Sequence, residues 1–594
     1  MKTVILLCVT ALLCTFRSYA GDFEIQDSVL VQYTGAGGSV VIPDTVKAVG
    51  PGAFRNRSDV TSVTIPNSVK AIGADAFYYC TALSSITIPY SVTTIGDRAF
   101  YNCYVLASVT IPHAVAEIGT EAFNYCSALT AVVIPASVTS VGAGAFMNCR
   151  RLGAIDVAYG NAHWSSSGGV LYDKGKTLLA AYPAGKTGSS FSIPNSVAEI
   201  GYGAFASCSA LTSVSIPGSV TTIGASAFAS CFALASISIP ASVTAIGASA
   251  FASCSALTSV TVPNSVVNLG AYAFQYCTKL TSVTLSNAIT EIGNSTFERC
   301  SALTSFTIPN SVTRIGARVF FMCTGLASVS IPHSVTQIGE YAFFMCTGLA
   351  SVSIPHSVVE IEGSAFAGCL FTSVTIPNSV TKLGESVFQN CTKLTSVTLS
   401  NAITEIGMFT FWACSSLTSV TIPRSVTEIG WAAFGDCSSL VSLTIPASVT
   451  AIRDAAFVAC SSLKNVTVDW STPLIMRGAT PFGYVDVSRC TLNVPSGAKA
   501  LYRTAAVWKD FGTIKEGEVN NLEIAVAPTV RLFGGNLCID TPASERVDIY
   551  SMGGTLLYSE VKPAGETVIA AGAFSGKFLI VTGSSGWVRK VAVK

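Results

Sequence analysis

Leu257-Thr-Ser-Val-Thr-Val-Pro263-Asn-Ser-Val266, followed by Leu269-Gly270, Ala273-Phe274 and Cys277, is the stretch on which the fold turns. One step earlier the same frame reads Leu234, Ile239-Pro240, Val243, Ile246-Gly247, Ala250-Phe251 and Cys254, so the period is 23 residues. The Phe anchors run through Phe54, Phe77, Phe100, Phe123 and Phe146, and resume from Phe205 to Phe457. A fixed period of this length is the signature of a stacked array.

Each part of the unit has a physical role. In Leu-x-x-Val-x-Ile the last two apolar residues are two apart, and a short strand points both to one side. The Pro that follows lacks an N–H and ends the strand. Ser-Val-x-x-Ile-Gly is expected to make the next turn, with Gly taking a positive φ. Ala-Phe-x-x-Cys sets Phe and Cys three apart, which predicts one face of a short helical turn. One coil cannot bury its apolar face alone, but stacked coils can. The predicted fold is a repeat solenoid of 23-residue coils, with one continuous parallel β-sheet and short helical turns.

This frame closely resembles the BspA-like class of bacterial leucine-rich repeats, from about Val40 to Glu516. The resemblance implies a secreted or surface protein engaged in adhesion to host proteins or other cells. Periodicity by itself implies only the solenoid.

The irregularities mark boundaries. From Cys149 to Cys208 the step is 59 residues, and the extra segment holds His163-Trp164, Gly169-Val-Leu-Tyr172 and Leu178-Leu-Ala-Ala-Tyr182. It reads as a variant coil over 150–193, a hairpin-like pair of strands joined by Asp173-Lys-Gly175. Between Cys369 and Cys391 the step shortens to 22. Residues 21–39 are expected to cap the first coil, 40–460 to form the solenoid and 461–518 to end and cap it. After about Val519 the period disappears and seven short alternating strands predict a small β-sandwich over 519–594. Val547-Asp548-Ile-Tyr-Ser-Met-Gly553, Gly576-Lys-Phe578-Leu-Ile-Val581 and Arg589-Lys590-Val-Ala-Val-Lys594 resemble the C-terminal sorting domain of the type IX secretion system. Phe578 stands where that domain usually has Tyr. The resemblance implies secretion machinery as a partner and display on the exterior of an outer membrane.

Bulk properties narrow the function. Of 594 residues half are hydrophobic and 11% charged, with a net charge of +1. Nucleic acid is not an expected partner, because its binding sites leave a basic patch or stripe. Lys2, the apolar run Val4–Leu13 and Ser18-Tyr19-Ala20 before Gly21 read as a signal peptide over 1–20. No later stretch of about 18 apolar residues offers a membrane span.

Candidate sites follow from the alternation. The outward strand positions form two hydroxyl rows: Ser62/Thr64, Ser85/Thr87, Ser108/Thr110, Ser259/Thr261, Ser282/Thr284, Ser419/Thr421 and Ser442/Thr444. They either solvate a sheet or present a polar face to protein or glycan; a match to an ice lattice is the third reading. His163 and Trp164 are a candidate contact on the variant coil. Tyr78, Tyr79, Tyr101, Tyr125 and Tyr276 add aromatic contacts near the helical turns.

One Cys per coil suggests buried thiols, rung-to-rung disulfides or metal ligands, although Cys-x-x-Cys is absent. His113, His333 and His356 each follow the repeat's Pro and read as exposed turn residues. No cofactor motif, unique nucleophile with a base or phosphate loop is present. The expected role is therefore non-enzymatic: an adhesion or ligand-binding solenoid for protein ligands or cell-surface glycans. The alternative is a glycan-capture or structural envelope protein.

Overall fold

The computed structural model describes residues 17–476 and 480–517, and beyond them seven strands between Thr529 and Ala592. The expected leader lies outside the described residues up to position 16, and Arg17–Ala20 pairs antiparallel with Phe23–Gln26. The chain forms two compact units, one of residues 1–352 with 364–370, the other of 353–363 with 371–594.

In the first unit a regular coil starts with a three-residue strand. Ser259–Thr261 pairs parallel with Ser282–Thr284, Ser259 beside Ser282 and Thr261 beside Thr284. Val260 and Val262 are 4% and 1% exposed, whereas Ser259 and Thr261 face solvent. Pro263 then opens a turn closed by Val266 N–H to Pro263 O at 3.0 Å.

The segment after that turn is more ordered than expected. Asn268–Leu269 is a two-residue strand that pairs parallel with Ala245–Ile246. Such strands build a second ladder, in sheets of eight strands (from Arg17–Ala20 to Ser140–Val141) and seven (from Trp164–Ser167 to Asn268–Leu269). The front strands, by contrast, bridge only in groups of two or three in this unit. The expected single continuous front sheet is corrected to a segmented one with a longer ladder beside it.

The Ala-Phe-x-x-Cys segment is not a helical turn. An α-helix returns each N–H to the carbonyl four residues back. Here Ser249, Phe251 and Ser253 instead donate to the next coil, to Ala271 O, Ala273 O and Gln275 O at 2.8, 2.8 and 2.6 Å. The residues between close four-residue turns, Ala252 N–H to Ser249 O at 3.0 Å and Cys254 N–H to Phe251 O at 3.2 Å. This alternation needs left-handed backbone at Ser249 (φ 57°) and Ser253 (φ 61°). The Phe–Cys spacing suits either geometry, and the coil-to-coil bonds decide for the turns.

The repeat's Gly also has a different role from the one expected. Gly73 and Gly96 do not adopt positive φ. A Cβ on Gly96 would lie 2.6 Å from Ala74 N, and one on Gly73 2.7 Å from Pro51 N. Glycine is required because adjacent coils touch backbone to backbone there.

The core is one layer per coil. Leu257, Val260, Val262, Val266, Ala273, Phe274 and Cys277 are all buried. The Phe rings stack along the array, Phe228 on Phe251 at 5.2 Å and Phe251 on Phe274 at 5.4 Å, both 3° from parallel. Such offset pairs contribute roughly 0.5–1.5 kcal/mol beyond burial. Cys254 and Cys277 donate their thiol hydrogens to Phe228 O and Phe251 O, each at 3.2 Å. Ser265 Oγ similarly reaches Val243 O at 2.6 Å.

The variant coil is a three-stranded antiparallel meander, Trp164–Ser167, Val170–Asp173 and Leu178–Ala181. It holds the expected hairpin plus one further strand. Leu178–Ala181 then pairs parallel with Glu199–Ile200, entering the second ladder. Tyr182 fills the Phe position and stacks on Phe205 at 5.1 Å.

In the second unit the coils share this design and end in a five-stranded parallel sheet, Ser419–Thr421, Ser442–Ile445, Asn465–Val468, Thr491–Val494 and Thr513–Glu516. A one-turn helix, Lys499–Tyr502, brings in Tyr502, which with Trp470 and Trp508 is buried at the end of the core. The two indoles and the phenol each find a carbonyl: Trp470 to Val449, Trp508 to Leu474 and Tyr502 to Trp470, all 2.9 Å.

Beyond residue 528 two antiparallel sheets form. One holds Thr529–Phe533, Asn536–Thr541 and Gly565–Ala570; the other holds Glu545–Ser551, Leu556–Lys562, Phe578–Gly583 and Val588–Ala592. Of the seven strands expected after about Val519, the first, over Leu522–Val526, lies outside the described residues.

Candidate functional site

The alternation that buries Val260 and Val262 directs the hydroxyls outward. In the first unit Thr64, Ser85, Thr87, Ser108, Thr110, Ser259, Thr261, Ser282 and Thr284 are exposed. Ser62 is half-buried, and its Oγ donates to Ser39 Oγ at 2.8 Å. Ser108 and Thr110 share the outward position, although their coil has no bridged strand there. In the second unit Ser419, Thr421, Ser442 and Thr444 are exposed in the same way. The register keeps like beside like, Ser62 against Ser85 and Thr64 against Thr87 in one unit, Ser419 against Ser442 and Thr421 against Thr444 in the other. These rows donate and accept hydrogen bonds but carry no charge.

The other candidate pair separates. His163 is exposed, whereas Trp164 is only 9% exposed and its indole N–H reaches Thr139 O at 3.3 Å. Trp164 is therefore corrected from a contact residue to a packing residue of the variant coil. Buried Asn161 fixes both: its Oδ1 accepts the N–H groups of His163 and Trp164 at 2.8 Å each. Its Nδ2 donates to Pro135 O and Val138 O at 2.7 and 3.0 Å. Sequence reading missed Asn161, whose partners lie 23 and 26 residues back.

The ladder cysteines from Cys80 to Cys460 are free and buried. Burial pushes the Cys149 thiol up from 9.0 to about 12. The thiolate that a nucleophile or a metal ligand requires is thus disfavoured. Among the described residues no three His, Cys, Asp or Glu side chains are grouped to hold a metal ion. Nor is any described helix long and apolar enough to cross a membrane.

Sequence reading also missed an ion-pair cluster on the turn segments. Arg55, Asp75 and Arg98 come together there beside Tyr78 and Tyr101. The 23-residue period was the available signal, since it places Asp75 beside residue 98 and Arg55 beside Tyr78.

Comparison with known proteins matches the chain to one family. The model of the BspA type leucine rich repeat region (6 copies) matches residues 29–156, 184–302, 244–371 and 359–479. A leucine-rich repeat protein from Bacteroides ovatus is 26% identical, over 72% of this chain and 92% of that one, with a TM-score of 0.45. One from Eubacterium ventriosum is also 26% identical, over 59% and 94%, with a TM-score of 0.44. A leucine rich cell surface protein from Faecalibacterium prausnitzii is 29% identical, over 56% and 93%, with a TM-score of 0.35. No curated protein matches. The match to the family model extends over most of the solenoid, and the chain belongs to the BspA-type leucine-rich-repeat family.

Proposed function

We propose that the protein is exported, displayed on the exterior of the bacterial outer membrane, and binds host proteins or other cells there without catalysing a reaction. The observation that carries this reading is the pair of exposed Ser/Thr rows, held in register on successive rungs. One rung offers two neutral hydroxyls and modest affinity; many rungs engaged together supply avidity. A face that repeats itself has no single nucleophile to activate, which fits a binding role. Residues 1–20 would direct export, and the strands beyond residue 528 would serve as the sorting domain that their sequence resembles. The relative from Faecalibacterium prausnitzii is described as a cell surface protein, which agrees with display.

The test is binding of the full chain to immobilised extracellular-matrix proteins and to a glycan array. The expected result is retention on matrix protein that falls at least several-fold when Ser259, Thr261, Ser282 and Thr284 are replaced by Ala and Val. Unchanged retention in that variant would remove the hydroxyl rows from the account. Retention on glycans alone would favour glycan capture.

A further inference from the structure

The turn segments of the first unit carry a cluster of charged and aromatic side chains outside the repeating core. Asp75, 15% exposed at its side chain, lies between two guanidinium groups: Arg55 Nη1 is 3.1 Å from Oδ2, and Arg98 Nε is 3.0 Å from Oδ1. The arginine side chains remain 50% and 48% exposed. Two guanidinium groups share the Asp75 carboxylate and keep about half of their surface open, while Glu121, at the same position one coil on from Arg98, is engaged by the Tyr202 hydroxyl at 2.9 Å.

Aromatic rings flank it. Arg55 sits over the Tyr78 ring, 4.5 Å from its centroid. Tyr78 stacks on Tyr101 at 5.0 Å and 17°, Tyr79 lies 5.9 Å from Tyr101, and Tyr125 meets Tyr101 edge-on at 5.6 Å. Tyr79 and Tyr125 are 40% and 37% exposed. Burial, with Tyr125 and Glu121 nearby, pushes the Tyr101 phenol up to about 12, so it stays a hydroxyl at neutral pH.

The scaffold beneath is fixed. Asp75 and Arg98 occupy the same left-handed position of successive coils (φ 56° and 51°). Their N–H groups are tied to Asp97 O and Thr120 O, both at 2.8 Å. A site held this way loses little ordering entropy on binding.

We propose that this cluster is a second binding site, for an acidic polysaccharide. The carboxylate or sulfate groups engage Arg55 and Arg98, and the sugar rings lie against Tyr79 and Tyr125. Sugar rings offer C–H faces to an aromatic surface and hydroxyls to the phenol edges. Their anionic groups suit the guanidinium fork. The site goes beyond the proposed hydroxyl face and does not depend on it.

The test uses the full chain against immobilised heparin, which carries sulfate and carboxylate, and hyaluronan, which carries carboxylate only. Dextran and polyglutamate are the neutral and peptide comparisons. At least one acidic polysaccharide should be retained, more weakly as salt rises, and dextran should not. Arg98→Gln should weaken retention about tenfold, the value of a charge-assisted hydrogen bond, and Tyr79→Ala should weaken it several-fold. Asp75→Asn, which frees both arginines, should strengthen it, whereas a purely structural role for Asp75 would weaken it. Thr261→Val with Thr284→Val should leave it unchanged, separating this site from the hydroxyl rows. If Arg98→Gln fails to fold, judged by circular dichroism, Asp75→Asn and Tyr79→Ala decide. The proposal is overturned if neither polysaccharide is retained at low salt, if polyglutamate binds as well as they do, or if the variants leave retention unchanged.

Discussion

In the first unit most front strands repeat Ser-x-Thr or Ser-x-Ser, yet they bridge only in groups of two or three. The turn segments of the same coils vary widely, from Asp75-Ala-Phe-Tyr-Tyr to Ser249-Ala-Phe-Ala-Ser. Their backbone ladder is nonetheless regular: Phe54 N–H to Ala76 O, Phe77 to Ala99 and Phe100 to Ala122 are all 2.7 Å. The two regions teach that coil-to-coil cohesion comes from backbone and core. Cohesion through the turns does not depend on outward side chains, which is why arginine, aspartate and tyrosine can gather there. On the front face Ser62 Oγ also bonds Ser39 Oγ on the neighbouring rung, so hydroxyls there supplement the backbone and the core.

The largest expected effect comes from breaking the core layer that both regions share. Phe251→Ala removes a ring stacked on two neighbours and should cost about 3–5 kcal/mol, read as a shift of the urea midpoint. A loss below about 1 kcal/mol would mean that the Phe row is not part of a continuous core. Gly96→Ala comes next. The new Cβ would press on the backbone of the preceding coil, with a cost of about 1–3 kcal/mol and faster amide exchange at Arg98 and Phe100. Unchanged stability and unchanged exchange at Arg98 and Phe100 would mean that the adjacent backbones are not in contact there.

Ser253→Gly probes the left-handed turn position. A side chain there costs roughly 1–2 kcal/mol, and the added chain entropy of glycine offsets part of the gain. A small rise in melting temperature is expected, and a fall would mean that the Ser side chain stabilises the turn. Thr261→Val is the smallest change, with stability within about 0.5 kcal/mol of the parent. A larger loss would show that the front hydroxyls do contribute to cohesion.

These positions also show what sequence could reveal. Residues 23 apart are neighbours in space, so the period alone stacks Phe on Phe and hydroxyl on hydroxyl. Alternation fixes which strand residues face outward. The turn was misread because Phe251 and Cys254 share a face in a helical turn and in successive four-residue turns alike. Glycine was misread because positive φ and close approach leave the same residue in the sequence. Trp164 read as a contact because it lies in an aperiodic segment, where the period does not point to its partner, Thr139 O of the preceding coil. The Arg55–Asp75–Arg98 cluster was hidden because its members are ordinary surface residues until the coils are superimposed.

The most direct test of a dry core bridged by thiol-to-carbonyl contacts is cysteine alkylation mapped by mass spectrometry. Buried thiols raised from 9.0 to about 12, as at Cys149, Cys277 and Cys369, keep their protons in the folded chain and release them in the unfolded one. Their contribution to stability is therefore complete below about pH 9 and lost as pH rises toward 12. At pH 8 the account predicts no labelling of Cys80 through Cys460 in the native protein, full labelling in denaturant, and a melting temperature that falls once pH passes 9. Rapid native labelling of those cysteines, or rung-to-rung disulfides in their place, would contradict it.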